Sequence, residues 1–154
     1  MMFPILFTLI SFFTTKESLP VDSTEIDKTK LLQLVNDARK KGCKCGKTWY
    51  GPAPAVTWND VLEKVATDHS NDMAKNGSLS HTSQGLDPGE RIKKAGYNWK
   101  TYGENVAFGH SDERSVVEGW LKSPGHCENI MNKSHKEMGV ARSGMYWTQV
   151  LASR

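Results

Sequence analysis

Helix start and stop signals occupy most of this sequence and strand signals gather near its end, an order that restricts the chain to an α+β architecture. Leu31, Leu34, Val35 and Ala38 recur at helical spacing and predict an amphipathic helix ending near Gly42. Asn59 stands where it can cap a second helix, whose apolar stripe is Leu62, Val65, Ala66, His69 and Met73 and whose end is marked by Gly77. Asp87-Pro88-Gly89-Glu90 has the form of a capping box with proline at the first helical position, predicting a short third helix that stops at Gly96. Ser111 can cap a fourth helix carrying Val116, Val117 and Trp120, and Ser123-Pro124 has the form of an N-cap and first-turn pair. Residues 43–56, with Gly46, Gly51, Pro52 and Pro54, read as a loop. Residues 138–141 and 146–151 read as two strands around a turn at Ser143-Gly144, hence an antiparallel hairpin. The expected fold is therefore helices packed on a small antiparallel sheet.

A chain of 154 residues is the size of one domain, and a domain of that size buries roughly two thirds of its unfolded surface. The net charge of +3 is small and mixed in sign. Arg39-Lys40-Lys41, extended by Lys44 and Lys47, and Lys93-Lys94 are the basic clusters, and they read as solvated faces rather than a nucleic-acid surface. Residues 2–13 form an apolar run too short to span a bilayer but suited to the core of an export signal, although no Lys or Arg precedes it and no Ala-x-Ala follows. Residues 1–20 are thus expected to be a signal peptide or N-terminal anchor, 21–27 a linker and 28–154 the folded domain. The mature form is expected to have no membrane span and to be secreted or extracytoplasmic, in the periplasm or cell envelope.

The three cysteines, Cys43, Cys45 and Cys127, support export, because an odd count accommodates one disulfide and one free thiol. Cys43 and Cys45 are poorly placed to bond each other across a single residue, so Cys127 pairs with one of them; a zinc site using Cys43 and Cys45 is the rival reading. A bridge closing a loop of about eighty residues stabilises by roughly 4 kcal/mol in the chain-entropy model.

Titratable groups single out a few positions. His69 lies in the apolar stripe of the second helix and reads as a hydrogen-bonded core histidine, whereas His110 and His135 lie in polar stretches and read as solvated. His81 and His126 sit at loop or helix-start positions, from which side chains reach a cleft, and Glu104 is the carboxylate that could join them. A Ser123-His126-Glu104 triad is disfavoured, because a serine before proline is expected to give its hydroxyl to backbone amides. The sequence has no Gly-x-Ser-x-Gly elbow and no His-Glu-x-x-His helix, so nothing marks a peptidase.

Seven short motifs occur in order: Ser80-His81-Thr82, Gly89-Glu90-Arg91, Ala95-Gly96-Tyr97, Gly103-Glu104-Asn105, Trp120-Leu121-Lys122-Ser123-Pro124-Gly125-His126, Glu137-Met138-Gly139-Val140 and Tyr146-Trp147-Thr148-Gln149. This combination resembles the CAP superfamily, also called SCP-like or pathogenesis-related-1-like, and in its Ser-Pro-Gly-His and Tyr-Trp-Thr-Gln segments its bacterial secreted branch. The resemblance covers about residues 28–151. It implies a three-layer α-β-α sandwich with a cleft that, in animal and plant members, is lined by two histidines and two acidic residues. By motif, His81 matches the first cleft histidine and Glu104 the Glu of Gly-Glu-Asn. Ser123 stands where the second acidic residue would be, and Tyr146 where the second histidine would be, with His126 as the bacterial substitute. The resemblance also favours Cys45, followed by Gly46, as the partner of Cys127.

What it implies for function is an exported, non-enzymatic domain that binds a small apolar ligand or an extracellular protein. Its cleft of His81, Glu104 and His126 would suit a weak divalent metal such as Zn²⁺. A metal-assisted hydrolase or a cell-envelope structural module is the alternative.

Overall fold

The computed structural model describes residues 25–154, so the expected signal peptide and most of the linker lie outside the described residues. Its elements run α1 (Lys28–Lys41), β1 (Cys43–Cys45), β2 (Thr48–Tyr50), β3 (Thr57–Trp58), α2 (Asp60–Asn76), α3 (Pro88–Lys94), β4 (Thr101–Phe108), α4 (Glu113–Lys122), α5 (Pro124–Met131), β5 (Glu137–Ser143) and β6 (Tyr146–Ser153). The main sheet has the order β3-β5-β6-β4, with β3 parallel to β5 and the other pairs antiparallel. The C-terminal hairpin is thus extended by a short parallel strand on one side and by the eight-residue β4 on the other.

Helices cover both faces of this sheet and make it a three-layer sandwich. Strand alternation sends Met138, Val140, Trp147 and Leu151 into one core, where they meet Leu31 and Val35 of α1, Val116 and Trp120 of α4, and Cys127 and Ile130 of α5. The opposite pleat sends Ala141, Val150 and Ala152 against Leu62, Val65 and Ala66 of α2 and Ile92 of α3. Gly139 makes the second contact possible: a Cβ there would collide with the backbone of Leu62 and Glu63, so glycine lets α2 lie directly on β5.

Several helix termini follow local chemistry. Asn59 Oδ1 accepts from the amides of Val61 and Leu62, and α2 ends at Gly77 in the left-handed region. Asp87 and Glu90 complete the capping box of α3. The cap of α4 is Asp112 rather than Ser111, with Asp112 Oδ1 accepting from the Ser115 amide. A carboxylate there also favours the positive end of the helix dipole. Ser123 occupies the N-cap position of α5, but its side chain makes no capping hydrogen bond.

Three further expectations are corrected, at residues 43–50, Arg39 and His135. Residues 43–50 are a β-hairpin rather than loop, because Gly46, at φ +60°, permits a two-residue turn between Cys45 and Thr48. Gly103-Glu104-Asn105 lies within β4, and its polar side chains are buried. Arg39 is fully buried rather than solvated; it donates to the carbonyls of Pro54, Ile130, Asn132 and His135 and thereby ties α1 to the loop after β2 and to the end of α5. His135 is also buried, its Nδ1–H donating to the Asn129 carbonyl at 3.0 Å.

Candidate functional site

Glu104 is the centre of the site because β4 turns it toward the α2–α3 layer, on the pleat it shares with its cross-strand partner Val150. Its side chain is 2% exposed, and both oxygens are engaged. Oε1 accepts from His81 Nδ1 at 2.9 Å, and Oε2 accepts from Arg91 of α3 at 2.7 Å. The same Arg91 nitrogen donates to the His81 carbonyl at 2.8 Å, so one guanidinium fixes both the carboxylate and the backbone of its histidine partner.

His69 approaches the same carboxylate, with Nε2 3.7 Å from Oε1. That nitrogen donates to the Ser80 carbonyl at 2.7 Å, which fixes the neutral Nε2–H tautomer and leaves Nδ1 buried with no partner among the described residues. His69 is thus a hydrogen-bonded core histidine, as its place in the stripe suggests, yet its ring forms a wall of the site. His69 and Arg91 are the site residues that sequence reasoning passes over. The signal that could have found Arg91 is its place two positions after Gly89 in the Gly-Glu-Arg motif, one helical turn beyond the Asp87 cap of α3.

His126 comes from the other layer. It lies on α5, which packs against the edge strand β4, and it is near enough to His81 to feel that ring's charge. A buried amide network holds it there: Asn105 Nδ2 donates to the His126 carbonyl at 3.1 Å and to Gln149 Oε1 at 2.9 Å, and Asn105 Oδ1 accepts from Asn129 at 2.9 Å. His126 makes no hydrogen bond to Glu104 or His81; its tie is an electrostatic one, to His81.

The imidazoles are tuned in opposite directions. The hydrogen bond and charge of Glu104 hold His81 above the ordinary histidine pKa against partial burial and Arg91. Burial lowers His69, against the pull of Glu104. Burial also lowers His126, and the neighbouring His81 adds to the effect.

His81, Glu104 and His126 do not form a closed three-ligand metal site. Among the described residues the one group of three or more His, Cys, Asp or Glu whose ligand atoms lie within 4.8 Å of one another is Cys43, Cys45 and Cys127. Cys45 and Cys127 are joined in a disulfide, leaving a single thiol there rather than a set of thiolates. A pocket of about 530 Å³ opens between α2 and α3 behind His69 and Arg91. Its lining mixes charged side chains, among them Lys64, Asp68, Asp72 and Lys94, with the apolar Val65, Leu86 and Ala95. No helix among the described residues is long and apolar enough to cross a membrane.

A four-stranded sheet between helical layers, with a Gly-Glu-Asn carboxylate clamped at its edge strand, defines a CAP-type domain. The CAP profile, described as the cysteine-rich secretory protein family, matches residues 32–150, and this chain belongs to that family. It is 33% identical over 138 residues to the uncharacterized protein YkwD of Bacillus subtilis (strain 168), covering 88% of this chain and 50% of that protein. A crystal structure of an extracellular protein containing an SCP domain, from Bacillus anthracis, superposes with TM-score 0.71 at 29% identity, covering 82% of this chain and 40% of the other. An outer surface protein of Borrelia burgdorferi shares the fold with TM-score 0.67 at 24% identity, over 84% of this chain and 96% of its own. This chain spans half or less of the length of the two Bacillus subtilis relatives it matches.

Proposed function

We propose that this chain is an exported, non-enzymatic CAP domain in which Glu104 orients His81, so that His81 and His126 present ring nitrogens to a small ligand. The observation that carries this reading is the state of Glu104. Its side chain is 2% exposed, with one oxygen on Arg91 and the other on His81. A carboxylate held in that way is shielded from the water it would activate as a general base, and its role is orientation and charge balance. The names of the extracellular Bacillus anthracis and outer-surface Borrelia relatives support an extracytoplasmic location.

A divalent ion such as Zn²⁺ is the ligand best suited to two neutral imidazoles. His81 would offer Nε2, since Nδ1 faces Glu104, and His126 would offer a ring nitrogen, with water completing the shell. The ion would supply a positive centre for an anionic ligand. Affinity should be weak and should fall as protons compete for the rings.

Calorimetric titration of dialysed protein with zinc chloride tests this, alongside casein and lipid-vesicle assays of the same preparation. Heat is expected for the native protein and for Cys43→Ser, and not for His81→Ala combined with His126→Ala. Absence of heat, or unchanged heat in the double variant, removes the metal reading. Casein cleavage by protein that survives repurification removes the non-enzymatic one, and protein pulled down by vesicles would restore an apolar ligand.

A further inference from the structure

Cys43 carries the one free thiol among the described residues, and its sulfur lies 3.5 Å from Cys127 Sγ, which is already bonded to Cys45. The three sulfurs lie within 4.8 Å of one another. This placement follows from the strand: Cys43 and Cys45 are two positions apart on β1, so both side chains leave the same face, toward the first turns of α5. Gly46 brings the hairpin onto α5 closely, since a Cβ there would stand 3.1 Å from the Pro124 ring. Cys45 and Cys127 are buried, whereas Cys43 is partly buried against the core.

The geometry points to a thiol–disulfide exchange site in which the bridge migrates between Cys45–Cys127 and Cys43–Cys127. In the step, the Cys43 side chain turns to bring its thiolate in line with the Cys45–Cys127 bond and attacks Cys127 Sγ, the Cys43–Cys127 bond forms as the Cys45–Cys127 bond breaks, and the electron pair leaves on Cys45, which takes up the proton lost by Cys43. One disulfide and one thiol are present before and after, so the exchange needs no oxidant or reductant. Either bridge ties the hairpin to α5 across more than eighty residues, with separations of 82 for Cys45 and 84 for Cys43. The site therefore keeps its long-range clip while moving the free thiol between a partly buried and a fully buried position.

The test uses the full chain exported by its own host. Protein held at mildly alkaline pH without added thiol is quenched in acid, alkylated, digested without reduction and mapped. The expected result is that alkylation, at first confined to Cys43, comes to include Cys45, with a matching Cys43–Cys127 peptide reaching about 1% or more of the total, the population of an ordinary minor state. Cys45→Ser should form the Cys43–Cys127 bridge on air oxidation and keep a cooperative melt. The proposal is overturned if label stays on Cys43 in native protein while guanidinium-unfolded protein scrambles. If Cys45→Ser fails to fold, the wild-type label alone decides.

Discussion

His81 and Glu104, 23 positions apart in sequence, are joined by a 2.9 Å hydrogen bond from the imidazole Nδ1 to a carboxylate 2% exposed, and this pairing raises the His81 pKa. Glu104→Gln removes the charge that stabilises the His81 imidazolium, so the His81 pKa should fall. Ring-proton NMR titration of His81 in both proteins checks the direction. An unchanged value would show that Glu104 does not govern His81, and the proposed role of the carboxylate would fail with it.

Stability should fall on mild acidification. Burial depresses the folded-state pKa of His69 and His135, and of His126 with help from His81, so the unfolded chain binds more protons at these sites. Their contribution is complete above the unfolded histidine value of about 6.5 and is lost as pH falls through the depressed folded values. His81 has the opposite sign: its contribution is complete below that value and is lost as pH rises through its raised folded pKa. Its exposed ring weakens that effect. With three depressed against one raised, urea midpoints should be lower at pH 5 than at pH 7.5, and a flat or inverted profile contradicts the assignment.

Arg39→Met should destabilise by about 3 kcal/mol or more, because it strips charge-assisted donors from buried carbonyls. The lost bonds are 2.7 Å to Pro54, 2.6 Å to Ile130, 2.9 Å to Asn132 and 3.1 Å to His135. Arg39→Lys should recover only part of that, since an ammonium cannot reproduce the guanidinium fork. Denaturant unfolding measures both, and a loss under about 1 kcal/mol for the methionine variant would show that the carbonyls find other partners.

Gly139→Ala should lift α2 from the sheet, because its Cβ would meet the Leu62 and Glu63 backbone, with Glu63 Cα at 2.6 Å. Overpacking of this kind costs about 1–3 kcal/mol or more, and rigid backbone has less room to yield than a side chain. Gly51→Ala is the control: nothing lies within 4 Å of its Cβ and its φ is not in the left-handed region, so a change within about 0.5 kcal/mol is expected. Equal thermal shifts for the two variants would refute the close approach.

The elements legible in the sequence are those whose determinants lie within a few residues of one another. The Asp87–Glu90 capping box, the Asn59 cap, the left-handed Gly77 and the turn between β5 and β6 each satisfy their backbone groups locally, so residue type and spacing suffice. The motif resemblance extended that reading to the sandwich and singled out His81 and Glu104, which the fold joins by a hydrogen bond. Tertiary structure decided the positions where a polar group is buried and its partners are distant in sequence. Glu104 and Asn105 enter the sequence reading as motif residues with no strand signal around them, yet they sit inside β4 because Arg91, His81, Asn129 and Gln149 arrive from other elements to bond them. Arg39 reads as one of three solvated cations until carbonyls 91, 93 and 96 positions away close around it. A buried polar group is stable only where its hydrogen bonds are met, and for these residues the folded chain alone brings the partners within reach.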